Sequence, residues 1–142
     1  MSRTVSRTVV VAAPAAAVFE LLASPARHAD LDGSGTVRGA RTGPARLSAG
    51  ARFGMRMHLL VPYAITNEVV EFEEGRRIAW RHLGRHVWRY ELEPVVGGTR
   101  VTETFDWAHA RAPRALELAG APRRNAVAIE RTLERLRTRY AA

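Results

Sequence analysis

Apolar and polar side chains alternate with a period of two between about residues 36 and 107, and this alternation restricts the folds open to the chain. In segment 52–60 it places on one face Phe53, Met55, Met57 and Leu59. Such a pattern is typical of a strand in a sheet that is covered on one side and wet on the other. Turn-forming residues separate it from further strands, expected at 63–73, 77–83, 86–92 and 101–107. The region therefore predicts an antiparallel sheet.

The segments on either side of this region differ from it. Residues 4–12 predict a first strand, and residues 14–23 predict a helix with Pro14 in its first turn, followed by a second short helix. Near the end, apolar side chains recur every three or four residues over about five turns and form one stripe: Ala126, Ile129, Leu133, Leu136 and Tyr140. This order of elements predicts an α+β fold that ends in a long helix.

Length and composition limit the class of protein. A chain of 142 residues predicts a single domain spanning 1–142. It has no cysteine, which excludes disulfides and thiolate metal sites. No stretch approaches the roughly 20 apolar residues that span a bilayer, so no integral membrane association is expected. The net charge is +8, but the arginines are spread from Arg3 to Arg139 among carboxylates, so no nucleic-acid partner is predicted.

The first residues partly resemble a secretory signal. Arg3 and Arg7 precede an apolar run at 9–19. Against that interpretation, Pro14 interrupts the run and Glu20 follows it directly. We therefore expect a strand and a helix here, and a cytoplasmic protein.

The inward face of the predicted sheet carries many large side chains: Phe53, Met55, Met57, Trp80, Trp88, Tyr90, Phe105 and Trp107. His82, His86 and Glu103 have the same phase, and polar groups in a dry core are costly. An apolar hollow with a few converging polar groups is typical of a small-molecule pocket. We predict a cavity lined by these rings and thioethers with His82 and Glu103, and by Asn125 and Ile129 of the terminal helix.

Three of these residues are candidate catalytic groups: Glu103, His82 and Tyr90. Glu103 is either an ion-paired or half-exposed glutamate, or a carboxyl whose pKa burial raises toward neutrality. His82 is alternatively a rim histidine bonded to the backbone, and Tyr90 a core ring. His82 and His86 flank Gly84 and approach each other across a hairpin, but no third ligand accompanies them. Neither a metal nor another cofactor is expected.

Several short segments resemble the SRPBCC superfamily, which includes START lipid-transfer domains, the birch-pollen-allergen fold and polyketide cyclase/dehydrase proteins. They are VVVAAP at 9–14, VFELL at 18–22, VVEF at 69–72, RIAW at 77–80, WRY at 88–90 and GTRVTETF at 98–105. The resemblance implies a helix-grip fold. In that fold a seven-stranded antiparallel sheet wraps around a long C-terminal helix, with two short helices after strand 1, and encloses a hydrophobic ligand cavity.

The resemblance does not imply one activity, and three functions remain open. The first is a carrier or sensor of a small hydrophobic or aromatic molecule. The second is a polyketide cyclase/dehydratase-type enzyme that pairs Glu103 with His82 or Tyr90 as acid and base in the same cavity. The third is a non-catalytic interaction or dimerisation module. The sequence fits a monomer or a homodimer.

Overall fold

The computed structural model describes residues 2–141, which form a seven-stranded sheet and four α-helices. The strands are β1 (Thr4–Val11), β2 (Val37–Thr42), β3 (Arg52–Leu59), β4 (Val61–Glu73), β5 (Arg77–Arg81), β6 (Val87–Val95) and β7 (Gly98–Asp106). The helices are α1 (Ala15–Leu22), α2 (His28–Leu31), α3 (Pro113–Leu118) and α4 (Ala121–Arg139), with a 3₁₀ turn at Pro25–Arg27 before α2.

The sheet is antiparallel throughout, in the order β1-β7-β6-β5-β4-β3-β2. Strands β2 to β7 follow one another in chain order, each paired with the next. Strand β1 pairs with β7, so β1 and β2 are the two edges of the sheet. The long helix α4 lies against the inner face. This arrangement confirms the predicted α+β helix-grip fold. None of the helices in residues 2–141 combines the length and the apolar character needed to cross a bilayer.

The alternation did not locate β2, although the resemblance implied a seventh strand. Pairing of β2 with β3 shifts between Val37 and Gly39 and again between Ala40 and Thr42. Each irregularity changes which face the following side chains occupy, so the period of two is lost.

The hairpin between β6 and β7 is tighter than the predicted turn at 94–98. Pro94 and Val95 belong to β6, so only residues 96–97 connect the strands. Gly98 then passes so close to β1 that a Cβ there would lie 1.9 Å from the Val11 carbonyl oxygen. Only glycine fits this approach.

The core is concentrated on one side of the sheet. α4 packs chiefly against β1 and β7. There Ile129, Leu133 and Leu136 are buried against the sheet, together with Val11 and Val101. Toward β3–β5 no helix within residues 2–141 takes the place of α4, and this asymmetry leaves a space over part of the inner face.

The absence of a side chain at Gly33 brings the loop after α2 close to α4. A Cβ on Gly33 would lie 2.5 Å from the Ala128 carbonyl oxygen. The Gly33 N–H donates a hydrogen bond of 2.8 Å to Thr132 Oγ1. The loop after α2 is therefore fixed against α4, and it forms one wall of the space.

Candidate functional site

A cavity of about 630 Å³ lies between the inner face of the sheet and α4. Its walls come from β3–β7, from α2 and the loop that follows it, and from the N-terminal half of α4. Large apolar side chains dominate the sheet wall: Met55, Met57, Tyr63, Ile65, Trp80, Trp88 and Phe105. On the helix wall Ala121 and Ala128 leave room that larger residues would fill. Volumes of roughly 300–1,000 Å³ are usual for small-molecule sites.

Ten of the twelve residues predicted from the sequence to contact a ligand line this cavity. They are Met55, Met57, Trp80, His82, Trp88, Tyr90, Glu103, Phe105, Asn125 and Ile129. Phe53 and Trp107 share the inward face but are not part of the lining.

Phe53 is 1% exposed and lies behind the wall, where its ring meets Trp80 edge to face at 5.6 Å. Trp107 stacks on Phe105 at 5.3 Å, and its Nε1 donates a hydrogen bond of 2.7 Å to Glu117 Oε2. It therefore lies at the end of the sheet toward α3. Both residues pack against residues of the cavity wall. The alternation correctly gives the face of the sheet on which they lie, but it does not show whether they border the cavity.

Glu103 is the buried carboxyl of the cavity. It is 4% exposed, and its Oε1 has no hydrogen-bond partner within the described part of the chain. No ion pair to an arginine forms there either, among residues 2–141. Burial raises the pKa of Glu103 to about 8; the negative charge of Asp32 adds to the rise, and contact with the Tyr90 hydroxyl opposes it. The half-exposed, ion-paired alternative is thus excluded.

Tyr90 lies directly opposite Glu103 across the β6–β7 ladder. It is buried, and burial together with the Glu103 charge raises the pKa of its phenol well above 10.0. Tyr90 is therefore a neutral hydroxyl next to the carboxyl. Of the predicted acid–base pairs, this is the one that the register brings together.

His82 and His86 are far from Glu103 along the sheet. Trp80, Trp88 and Phe105 form the row between the two histidines and the Tyr90–Glu103 row. The two histidines therefore lie four residues along the strands from the Tyr90–Glu103 row, which is roughly 13 Å at the rise per residue of a strand. A direct proton transfer between Glu103 and His82 is not compatible with this spacing.

The two histidines do contact each other, as their positions around Gly84 predicted. Their ring centroids are 4.6 Å apart with nearly perpendicular planes. Burial lowers the pKa of both, and that of His86 falls to about 4 with a contribution from His82. They are neutral at pH 7. From residue 2 to residue 141, no group of three His, Cys, Asp or Glu side chains is placed to hold a metal ion.

Sequence reasoning missed Asp32, which also lines the cavity. Its Oδ2 accepts hydrogen bonds from Ser34 Oγ at 2.6 Å, from the Gly35 N–H at 3.0 Å and from the Val37 N–H at 3.3 Å. Arg135 donates to its backbone carbonyl at 2.6 Å. The sequence signal was an Asp-Gly-Ser-Gly loop, which predicts a turn but not the direction of the carboxylate.

His28 was missed for a similar reason, since it lies in a helix of four residues. Its Nε2–H donates to the Leu22 carbonyl at 2.8 Å, and its ring stacks on Trp80 at 4.9 Å. Burial lowers the pKa of His28, so the ring stays neutral. It fixes the orientation of one cavity wall.

This chain belongs to the family described as polyketide cyclase / dehydrase and lipid transport, which it matches over residues 2–141. It is 45% identical over 143 residues to an uncharacterized protein of Mycobacterium tuberculosis H37Rv, covering 96% of this chain and 64% of that one. Its match to an uncharacterized protein of the CDC 1551 strain is 44% identical, with the same coverage. The chain thus spans about 64% of the length of these curated relatives.

Solved structures share the fold at low sequence identity. An AHSA1-like protein from Aeromonas hydrophila aligns with a TM-score of 0.67 and 18% identity, over 96% of this chain and 93% of that chain. A protein from Rhodobacter sphaeroides aligns with a TM-score of 0.74 and 18% identity, over 98% and 92% of the two chains. Together with the family match, they confirm the SRPBCC resemblance.

Proposed function

We propose that this chain binds one small hydrophobic or aromatic molecule in the cavity between the sheet and α4, as a carrier or ligand sensor. The observation that carries the proposal is the cavity itself, about 630 Å³ with aromatic and thioether walls and one buried carboxyl. The family description, which includes lipid transport, supports it. A guest that buries roughly 300 Å² of apolar surface would gain about 7.5 kcal/mol before the cost of its immobilisation.

A fluorescent apolar probe tests the proposal directly. N-phenyl-1-naphthylamine is neutral at pH 7, and we expect it to bind the purified protein saturably. A double variant, Met57→Trp with Ile65→Trp, places two indoles on the cavity wall and should weaken binding at least tenfold. The matched control is Arg56→Trp with Thr66→Trp, because these neighbours on β3 and β4 point to the opposite face of the sheet.

Melting temperatures of both double variants show that each is folded. Native mass spectrometry of freshly purified protein then identifies any co-purified guest. A wild-type protein without saturable probe binding would overturn the proposal, and so would equal binding by the inner-face and outer-face variants.

The pairing of Glu103 with Tyr90 favours a second candidate function, a cyclase/dehydratase-type enzyme. In an intramolecular aldol reaction, a base removes a proton from carbon and a donor stabilises the alkoxide formed as the carbon–carbon bond closes. Glu103 as base and Tyr90 as donor would supply both roles. Cyclisation of a synthetic triketone, followed by product chromatography, is the test; turnover that Glu103→Gln leaves unchanged would reject these roles.

Four further sequence predictions stay predictions. They are one domain over residues 1–142, a cytoplasmic location, a monomeric or homodimeric state, and no nucleic-acid partner. Light scattering measures the oligomeric state. A dimer that forms without probe binding would instead favour the interaction module.

A further inference from the structure

Most acidic side chains of this protein are ion-paired with an arginine, and the exceptions are concentrated at the cavity. The sequence has fourteen acidic residues, all within the described range. Those without an ion pair among residues 2–141 are Asp32, Glu68 and Glu103, and the other eleven pair. Two of the three line the cavity. A chain with 22 arginines thus supplies none to the two carboxyls in its apolar hollow.

The groups around these two carboxyls place no cation in ion-pair contact with either of them, in the part of the chain that the structure describes. Tyr90 approaches Glu103 from β6, and the charge of Asp32 acts on both residues. The helix wall offers uncharged groups, among them Asn125 and Thr132. Arg124 and Arg131 also border the cavity, but both are exposed and neither forms an ion pair with Asp32 or Glu103 in the part of the chain that the structure describes.

We infer that the guest of this cavity is an amine, with an apolar or aromatic body against the sheet wall and an ammonium group on the unpartnered oxygen of Glu103. The inference rests on the proposed function and names its ligand class. An ammonium would supply the cation that the protein does not, and it would form a charge-assisted hydrogen bond with the buried carboxylate. Trp80, Trp88 and Phe105 supply aromatic rings on the same wall, and aromatic rings attract cations at close range. A carboxylate guest would be repelled by the charge of Asp32 and could not form an ion pair with Glu103.

Three naphthyl compounds of matched shape test this ligand class by displacing N-phenyl-1-naphthylamine at pH 7. They are 2-naphthylethylamine, 2-naphthylethanol and 3-(2-naphthyl)propionate. We expect the amine to bind at least tenfold more tightly than the alcohol, and the propionate to bind most weakly. Glu103→Gln should abolish the preference for the amine, because it lowers the affinity for the amine far more than the affinity for the alcohol. Glu68 follows the cavity-lining Asn67 on β4, so its side chain points to the outer face of the sheet. The control Glu68→Gln should therefore retain the preference for the amine.

Calorimetry of the wild-type protein gives a readout that needs no variant. Because burial raises the pKa of Glu103 to about 8, the carboxyl of Glu103 is mostly protonated at pH 7 in the ligand-free protein. Amine binding should therefore release close to one proton, and alcohol binding none, measured in buffers of different ionisation enthalpy.

The outcomes separate the two proposals. If no probe binds saturably, the proposed function fails. If the alcohol binds as tightly as the amine, if the preference survives in Glu103→Gln, or if no proton is released, a cavity exists but the amine inference is wrong.

Discussion

Replacing Glu103 with glutamine should stabilise the ligand-free protein at alkaline pH and change its stability little at acidic pH. Burial raises the pKa of Glu103 from 4.5, the value expected in the unfolded chain, to about 8. Between these two values the folded protein keeps a proton that the unfolded chain releases, so the free energy of unfolding falls as the pH rises. Integrated from pH 5 to pH 8, the loss is about 3.5 kcal/mol. A glutamine does not titrate and removes this loss.

Urea denaturation at pH 5 and pH 8 measures the effect. The quantity of interest is the difference in unfolding free energy between Glu103→Gln and the wild type, compared at the two pH values. His28, whose pKa burial lowers, also titrates in this range, but it is present in both proteins and cancels. Glu68→Gln serves as the control on the outer face. A difference that is the same at pH 5 and pH 8 would show that Glu103 is not protonated in the folded state at neutral pH.

Three further substitutions have predictable effects. His28→Ala removes a buried hydrogen bond and the stack on Trp80, so it should cost about 2–4 kcal/mol in urea denaturation and weaken probe binding. Gly33→Ala forces a Cβ against the backbone of α4 and should lower the melting temperature and the probe affinity together. Arg89→Ala breaks two ion pairs on the outer face, with Glu71 at 2.7 Å and with Asp106 at 3.4 Å. Since Arg89 is 20% exposed, we expect a loss of about 1 kcal/mol that high salt reduces, with probe affinity unchanged.

The alternation of apolar and polar side chains predicts most of the strands and the face of the sheet that lines the cavity. It placed Trp80, Tyr90 and Glu103 on one face, and these residues line the cavity. It could not give depth along the strands, because a period of two says which side a residue occupies and nothing about its neighbours on other strands. For that reason the sequence alone predicts Phe53 and Trp107 in the lining, and it predicts His82 as a partner for Glu103; the structure shows neither.

Cavity residues in loops and in very short helices could not be predicted from the spacing of apolar side chains. Asp32 lies in a loop and His28 in a helix of one turn, so neither has enough flanking residues to define a face. Tertiary contacts position these two residues. Gly33, next to Asp32, packs on α4, and the Leu22 carbonyl accepts the hydrogen bond of His28. Their place in the cavity wall depends on contacts between segments distant in sequence.

The stability argument and the ligand argument concern the same carboxyl. In the ligand-free protein Glu103 lowers stability at neutral and alkaline pH, and glutamine, which has nearly the same shape, would not. Folding alone therefore does not explain a glutamate at this position. A bound ammonium would give the ionised carboxylate its counter-charge and recover much of the lost free energy, so stabilisation by an amine guest should increase from pH 6 to pH 8. Function at the expense of ligand-free stability is the expected trade-off at a binding site.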